Sequence, residues 1–285
     1  MVLYNPSAGR GRGALAVDAV RESARLAGHE SVALHAGPGL DGALKTALVG
    51  AAALVCVGGD GTLHYAIRDA AESGVPVCVV PFGTENLFAR QFGMRGGKSL
   101  VDRLRGAEVQ EVDLGRVQRG GEARLFAIMV SVGPDASVIH RLARVRRGPI
   151  SHCSYVMPAL QEAAAPALVP LRVEVDGRLV VDGRHGVLVV ANSRQYAARI
   201  DPAAGASMTD GLLDVVFMPA RTTLGVVVWA ARARLGRMGG VVAARGRDVR
   251  ITAAGGPSQV DGEALWADSG DLELSVASER LRVLV

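Results

Sequence analysis

The chain has 285 residues, of which 49% are hydrophobic and 21% charged, with a mean hydropathy of +0.25. That balance excludes a disordered polypeptide and supplies apolar side chains for a sizeable core, at roughly 150 residues per domain about two domains. The longest nearly unbroken apolar run, Ala47 to Gly59, falls short of the ~18 residues that a membrane-spanning helix needs. The opening Met-Val-Leu-Tyr-Asn-Pro has neither the basic flank nor the cleavage site of a secretory leader. The three cysteines Cys56, Cys78 and Cys153 lack a Cys-x-x-Cys pair and read as reduced thiols of a cytoplasmic protein. Net charge is +4, from 30 arginines and two lysines (Lys45 and Lys98) against 28 acids. This favours anionic partners such as nucleotide phosphates or an anionic membrane surface. Aromatic residues are only 4%, and no basic stripe is interleaved with them, so nucleic acid is not an expected partner.

In chain order, the first hundred residues alternate β-branched runs with helical stretches, the pattern of a parallel sheet flanked by helices. Strands are predicted at Val2–Tyr4, Val32–Leu34, Ala52–Val57 and Val77–Val80. Helices are predicted at Ala14–Ala27, at Leu40–Val49 after a Gly37-Pro38-Gly39 turn, at Thr62–Ser73, at Glu85–Gln91 and at Ser99–Arg105. From about Val109 the texture changes to strand-like alternation: Glu111–Val117, Leu125–Val132, Leu171–Val175, Leu179–Asp182, Val187–Ala191, Leu213–Met218, Val249–Ala253 and Leu272–Val276. Helical segments near Ala136–Arg146 and Thr223–Met238 interrupt it. The fold class is therefore an N-terminal three-layer α/β domain, residues 1–110, followed by a mainly antiparallel β-sandwich, residues 111–285, whose last strand can return to the first domain.

Three loops carry the chemistry. Val57-Gly58-Gly59-Asp60-Gly61-Thr62 joins the most buried-looking strand to a helix. Its glycines let backbone amides approach an anion, and Thr62 is placed to cap the helix whose positive end faces that anion. A carboxylate at Asp60 then calls for a divalent cation or a hydroxyl proton between itself and phosphate; otherwise it is a local hydrogen-bonding residue of a tight turn. Pro81-Phe82-Gly83-Thr84-Glu85-Asn86 follows the next strand, with Thr84, Asn86 and Arg90 offering polar contacts to a nucleotide. Asn5-Pro6-Ser7-Ala8-Gly9 follows the first strand. A dinucleotide fingerprint is rejected there, because the second strand ends without the Asp or Glu that would take a ribose. The full Gly-x-x-x-x-Gly-Lys-Ser/Thr motif of a P-loop is also absent from the sequence.

Asn-Pro-x-x-Gly, Gly-Gly-Asp-Gly-Thr and Gly-Thr-x-Asn in this order resemble the diacylglycerol kinase catalytic domain family, which includes sphingosine and ceramide kinases and is related more distantly to NAD kinases. The likeness extends through Val112-Asp113-Leu114-Gly115, Arg147-Gly148-Pro149-Ile150 with Tyr155, Asn192, Thr209-Asp210-Gly211-Leu212-Leu213-Asp214 and Val260-Asp261-Gly262-Glu263. The resemblance implies ATP-dependent phosphorylation of a lipid alcohol, with diacylglycerol as the first substrate. It implies ATP held by Asn5, Ser7, Gly9, the Gly58 to Thr62 loop, Gly83, Thr84 and Asn86, a catalytic Mg2+ at Asp60, and Glu263 as general base. Taken alone, Glu263 reads as a surface hairpin acid, since Asp-Gly is a common two-residue turn. A second, structural Mg2+ is implied at the Asp210 carboxylate and the Ser207 and Leu212 carbonyls.

Two departures accompany the likeness. Leu87 stands where many bacterial members have an Asp, and Thr209 where many have a first acid before Asp210. Lipid access implies transient peripheral membrane contact, for which Thr223–Met238 offers an apolar half with Trp229 and a basic half with Arg232, Arg234 and Arg237. The alternative is the same helix packed on the β domain with its arginines solvated, and the cluster Arg141, Arg144, Arg146 and Arg147 has the same two readings. The choice between diacylglycerol and a sphingoid base is open, as is a homodimer. An NAD or small-molecule kinase and a non-catalytic ATP- or lipid-binding regulator are the other functional classes.

Overall fold

The computed structural model describes residues 1–9, 11–37, 42–94, 99–106, 108–145, 156–253, 256–266 and 270–285. The Gly37-Pro38-Gly39 turn beyond Gly37, the start of the helix predicted at Leu40, Cys153, and the Arg147–Ile150 and Tyr155 positions lie outside the described residues, as does Arg146. The chain divides into two compact units: residues 1–112, 147–150 and 279–285, and residues 113–146 and 151–278.

In the first unit the elements are β1 (Val2–Tyr4), α1 (Arg12–Leu26), β2 (Ala33–His35), α2 (Ala43–Ala47), β3 (Leu54–Gly58), α3 (Asp60–Ser73), β4 (Val77–Pro81), α4 (Leu87–Gln91) and α5 (Leu100–Gly106). The strands run parallel in the order β2-β1-β3-β4. Residues 54–58 are buried throughout, as expected of a central parallel strand covered on both faces. Cys56 and Cys78 are buried free thiols. Burial pushes Cys56 up to about 12 and Cys78 up to about 11, so both stay protonated and act as small apolar fillers.

The second unit begins within β5 (Val109–Arg119) and continues through β6 (Glu122–Phe126), β7 (Met129–Val132), α6 (Pro134–Val145), α7 (Val156–Ala164), β8 (Pro170–Val175), β9 (Arg178–Ala191), β10 (Leu213–Pro219), α8 (Thr223–Arg234), β11 (Val242–Gly246), β12 (Asp248–Ala253), β13 (Ser258–Val260), β14 (Glu263–Ala264) and β15 (Leu272–Leu284). Its strands pair antiparallel in two runs, β14-β13-β7-β9-β10-β11 and β9-β8-β12-β15. β9 serves both runs. Its residues 178–185 pair with β8, and 187–191 pair with β7 and β10. Inward-facing Val130, Val173, Leu188, Val190, Phe217 and Ile251 build a continuous core, each worth roughly 1.5–3 kcal/mol when fully buried. The end of β15 pairs parallel with β4, Val283 opposite Val77, within the first unit.

Several predicted elements differ. Leu125–Val132 is two strands, because the chain breaks pairing at Ala127 and Ile128 to give their amides to a carboxylate. Leu179–Asp182 and Val187–Ala191 form one strand: Gly183, at φ 58°, takes up the irregularity in the pairing with β8, and Gly186 allows the close approach of β10, where a Cβ would meet the Met218 carbonyl at 2.4 Å. The helix predicted to run to Met238 ends at Arg234. There Arg232 turns back to donate to the carbonyls of Arg237 and Gly239. α7, β11, β13 and β14 were absent from the sequence reading.

Candidate active site

In the first unit, three loops emerge from the carboxyl ends of the adjacent strands β1, β3 and β4. Each is held by a contact that tolerates only glycine. Gly58 hydrogen-bonds through its carbonyl to Phe82 N at 2.8 Å, and a Cβ at Gly58 would lie 2.1 Å from Thr62 Oγ1. A Cβ at Gly59 would meet Gly83 Cα at 2.9 Å, and one at Gly83 would meet Gly59 Cα at 2.6 Å. The two glycine loops therefore touch backbone to backbone. Gly9, at φ 59°, closes the third side against Phe82. Asn5 Oδ1 accepts from Ser7 N at 3.0 Å, which shapes the turn between β1 and α1.

The helix starts set the electrostatics. Gly11 caps α1 and Gly59 caps α3, the latter in an extended conformation (φ −105°, ψ −169°). Two helices of 15 and 14 residues thus open on glycine, a geometry that leaves first-turn amides and the positive helix end accessible to an anion. Thr62 is not the cap that the sequence suggested. It lies inside α3, buried, and its Oγ1 has no hydrogen-bond partner among the described residues.

Asp60 and Asn86 both hold backbone of the second glycine loop. Asp60 Oδ2 accepts from Leu87 N at 2.9 Å and Oδ1 from Phe88 N at 3.0 Å. Its carboxylate therefore caps α4 across the glycine contact. Asn86, fully buried at φ 51°, accepts from Gly83 N at 2.8 Å through Oδ1 and donates to Gly83 O at 2.7 Å through Nδ2. Both contacts brace the loop at Gly83. Leu87 is buried, and its contribution to the site is the amide that holds Asp60. Thr84, on the same loop, and Arg90, in α4, are half-buried, Arg90 facing Glu85 at 3.9 Å.

In the second unit, Glu263 is half-buried on β14, just beyond a two-residue turn. Asp261 and Gly262 have φ 47° and 86°, the left-handed pair of a tight hairpin turn. Asp261 appears in the sequence only as part of its Asp-Gly-Glu motif, with no role of its own. Buried, it accepts from Ala127 N at 2.8 Å, Ile128 N at 2.9 Å and Met129 N at 3.0 Å, and so fixes the hairpin that carries Glu263. Asn192 completes the knot by donating to Asp113 O at 2.9 Å and Ala127 O at 2.8 Å. Asp113 accepts from Gly211 N at 2.8 Å. A Cβ at Gly115 would enter the Phe126 ring at 2.0 Å, which explains the glycine of Asp113-Leu114-Gly115.

The donor set at the Asp210 turn does not fit a structural Mg2+. Asp210 Oδ1 accepts from Leu212 N at 3.1 Å, and Oδ2 is paired with Arg245, whose Nε also reaches Asp214 Oδ1 at 3.1 Å. A guanidinium supplies the positive charge that a cation would bring. Burial raises the Asp214 carboxyl above its ordinary value; Arg245 opposes that shift, and Asp210 adds to it. Ser207 Oγ lies 3.1 Å from Thr209 Oγ1 on the same turn. Among the described residues there is no group of three or more His, Cys, Asp or Glu that could hold a metal.

A catalytic Mg2+ asks less of the protein. It is held mainly by nucleotide phosphates with one or two carboxylates, and Asp60 supplies a carboxylate in the first turn of α3. The glycine cradle and the glycine-capped α3 likewise fit a nucleotide phosphate.

The family model of the diacylglycerol kinase catalytic domain matches residues 1–117, and that of the YegS C-terminal NAD kinase beta sandwich-like domain matches residues 128–285. The chain belongs to the YegS-like family, which joins a diacylglycerol kinase catalytic domain to a YegS C-terminal domain. A diacylglycerol kinase of Mycobacterium tuberculosis is 29% identical over 169 residues, 58% of this chain and 54% of that protein. The chain thus spans about half the length of that relative in the match. A probable YegS-like lipid kinase of Pseudomonas putida is 30% identical over 226 residues, 75% of this chain and 71% of that protein. The fold is shared with a putative diacylglycerol kinase of Bacillus anthracis, TM-score 0.74 at 15% identity over 99% and 96% of the two chains. It is shared more loosely with an NAD kinase of Archaeoglobus fulgidus in complex with ATP, TM-score 0.54 at 14% identity over 100% and 92%. Membership in this family confirms the resemblance and the α/β-plus-β-sandwich fold.

Proposed function

We propose that the protein is an ATP-dependent kinase of a lipid alcohol, with diacylglycerol as substrate. The observation that carries the reading is the pair of glycine loops in backbone contact at Gly59 and Gly83, beside the glycine-capped start of α3. Phosphoryl transfer is chiefly a matter of positioning and charge neutralisation, and this cradle offers amides and a helix end to phosphate. When bound, Mg2+ neutralises charge on the transferring phosphate; Asp60 is the carboxylate of this chain that would hold it. Glu263 accepts the proton of the attacking hydroxyl. Asp261 is its positioning residue, because it fixes the turn from which β14 departs.

A non-catalytic binding role is the second reading, and one observation favours it. The Asp60 carboxylate is already bonded to the Leu87 and Phe88 amides. The two readings separate when labelled ATP and Mg2+ are offered with diacylglycerol, a sphingoid base or NAD. Label appearing in phosphatidic acid supports the proposal. Label in a sphingoid-base phosphate or NADP reassigns the substrate, and nucleotide binding with no product in any arm supports the binding role.

A further inference from the structure

Between Leu224 and Ala231 α8 carries no charged residue, which is unusual for a helix at a surface; its arginines, Arg232 and Arg234, are confined to the last turn. One face is docked on its own unit: Trp229 and Ala233 are buried, and Trp229 Nε1 donates to Pro219 O at 2.7 Å. On this face the helix packs on the β domain, the second of the two readings the sequence offered. The opposite face is a stripe at helical spacing, with Leu224 72%, Val227 56%, Val228 45% and the C-capping Leu235 66% exposed. Its start abuts a second exposed apolar surface. Thr223 Oγ1 donates to Ala163 O at 2.7 Å, at the end of α7, on which Met157 and Leu160 are exposed.

Charge indicates what covers this face. Between residues 215 and 247 the chain has six arginines (221, 232, 234, 237, 245 and 247) and neither Asp nor Glu. That segment alone is more positive than the whole protein at +4. Arg245 is committed to Asp210 and Asp214, and Arg232 to the helix end. Arg221, Arg234 and Arg237 are exposed. A symmetric dimer through the stripe would set these arginines against their own copies, an unfavourable like-charge contact. An anionic bilayer offers acyl chains to the stripe and headgroup charge to the arginines together.

We propose that the exposed face of α8 is the surface by which this protein binds an anionic lipid membrane, with Leu224, Val227 and Val228 entering the interface and Arg234 and Arg237 engaging headgroups. This surface does not depend on the phosphoryl-transfer reading, since it lies on α8 and calls for no nucleotide.

The test is co-sedimentation of the full chain, without ATP, with phosphatidylcholine vesicles with and without phosphatidylglycerol. The wild type is compared with Leu224→Asp/Val228→Asp and Arg234→Gln/Arg237→Gln, all at exposed positions, with folding checked by circular dichroism. Expected is binding that requires phosphatidylglycerol and weakens with salt. Each arginine removed should lower the partition coefficient roughly fivefold, and the aspartate pair should abolish binding. Wild type that fails to bind anionic vesicles, or an aspartate pair that binds as well as wild type, overturns the proposal. So does a concentration-dependent dimer abolished by the aspartate pair, which would assign the stripe to a second copy. Kinase assays of the same variants on detergent-dispersed substrate keep this outcome separate from that of the function: the aspartate pair should lose vesicle binding and keep phosphoryl transfer.

Discussion

Two carboxylates in this chain do their structural work through contacts that are distant in sequence. Asp261 accepts three amides from residues 127–129, more than 130 positions away. Its replacement by Ala leaves three buried donors without an acceptor, at about 1–3 kcal/mol for each donor that finds no water. Asp261→Ala should lower unfolding free energy by at least ~3 kcal/mol in a urea titration, while Gly262→Ala should cost less. The Asp210 turn gives a second prediction. Because Arg245 already bridges Asp210 and Asp214, the melting temperature of the wild type without nucleotide should be the same in EDTA and in Mg2+. Arg245→Met should lower it and make it respond to Mg2+. A wild-type melting temperature that falls in EDTA would show that a cation, and not the guanidinium, holds this turn.

At the scale of elements, the glycine loops account for both the local conformation and the candidate chemistry. Gly83→Ala places a methyl within 2.6 Å of Gly59 Cα and 2.8 Å of Asn86 Oδ1, backbone on one side and a braced side chain on the other. The loops must part. Expected is a loss of nucleotide affinity of tenfold or more by calorimetry, with the β-sandwich core unaffected by near-ultraviolet circular dichroism. The strand-to-glycine-to-helix pattern of these loops was legible because it is local: Val55-Cys56-Val57 ends in Gly58-Gly59, and periodic apolar positions follow at once. The break at Ala127–Ile128 was not, because Leu125 to Val132 alternates like one strand and only Asp261 explains the interruption. Nor were the loop bracing by Asn86 and the pairing of Arg245 legible. Each depends on which neighbour the fold brings up, and a polar residue in a loop has the same local signature whether it faces a ligand or its own backbone. The short strands β13 and β14 fell below the length at which alternation is recognisable.

For the whole molecule, two units built on different principles share one chain. The first is parallel and offers helix starts and glycine loops at one sheet edge. The second is antiparallel, with a buried polar knot around residues 127–129 and an arginine-rich apolar helix at its surface. The central claim is phosphoryl transfer for which Asp60 and Glu263 are the proposed carboxylates. The most direct measurement is transfer from labelled ATP to diacylglycerol in detergent micelles, for wild type, Asp60→Asn and Glu263→Gln, with nucleotide binding measured on the same samples. Expected is labelled phosphatidic acid from the wild type, its loss by at least a hundredfold in both variants, and retained nucleotide binding in Glu263→Gln. Nucleotide binding without labelled lipid in the wild type, or full activity in Glu263→Gln, would contradict it.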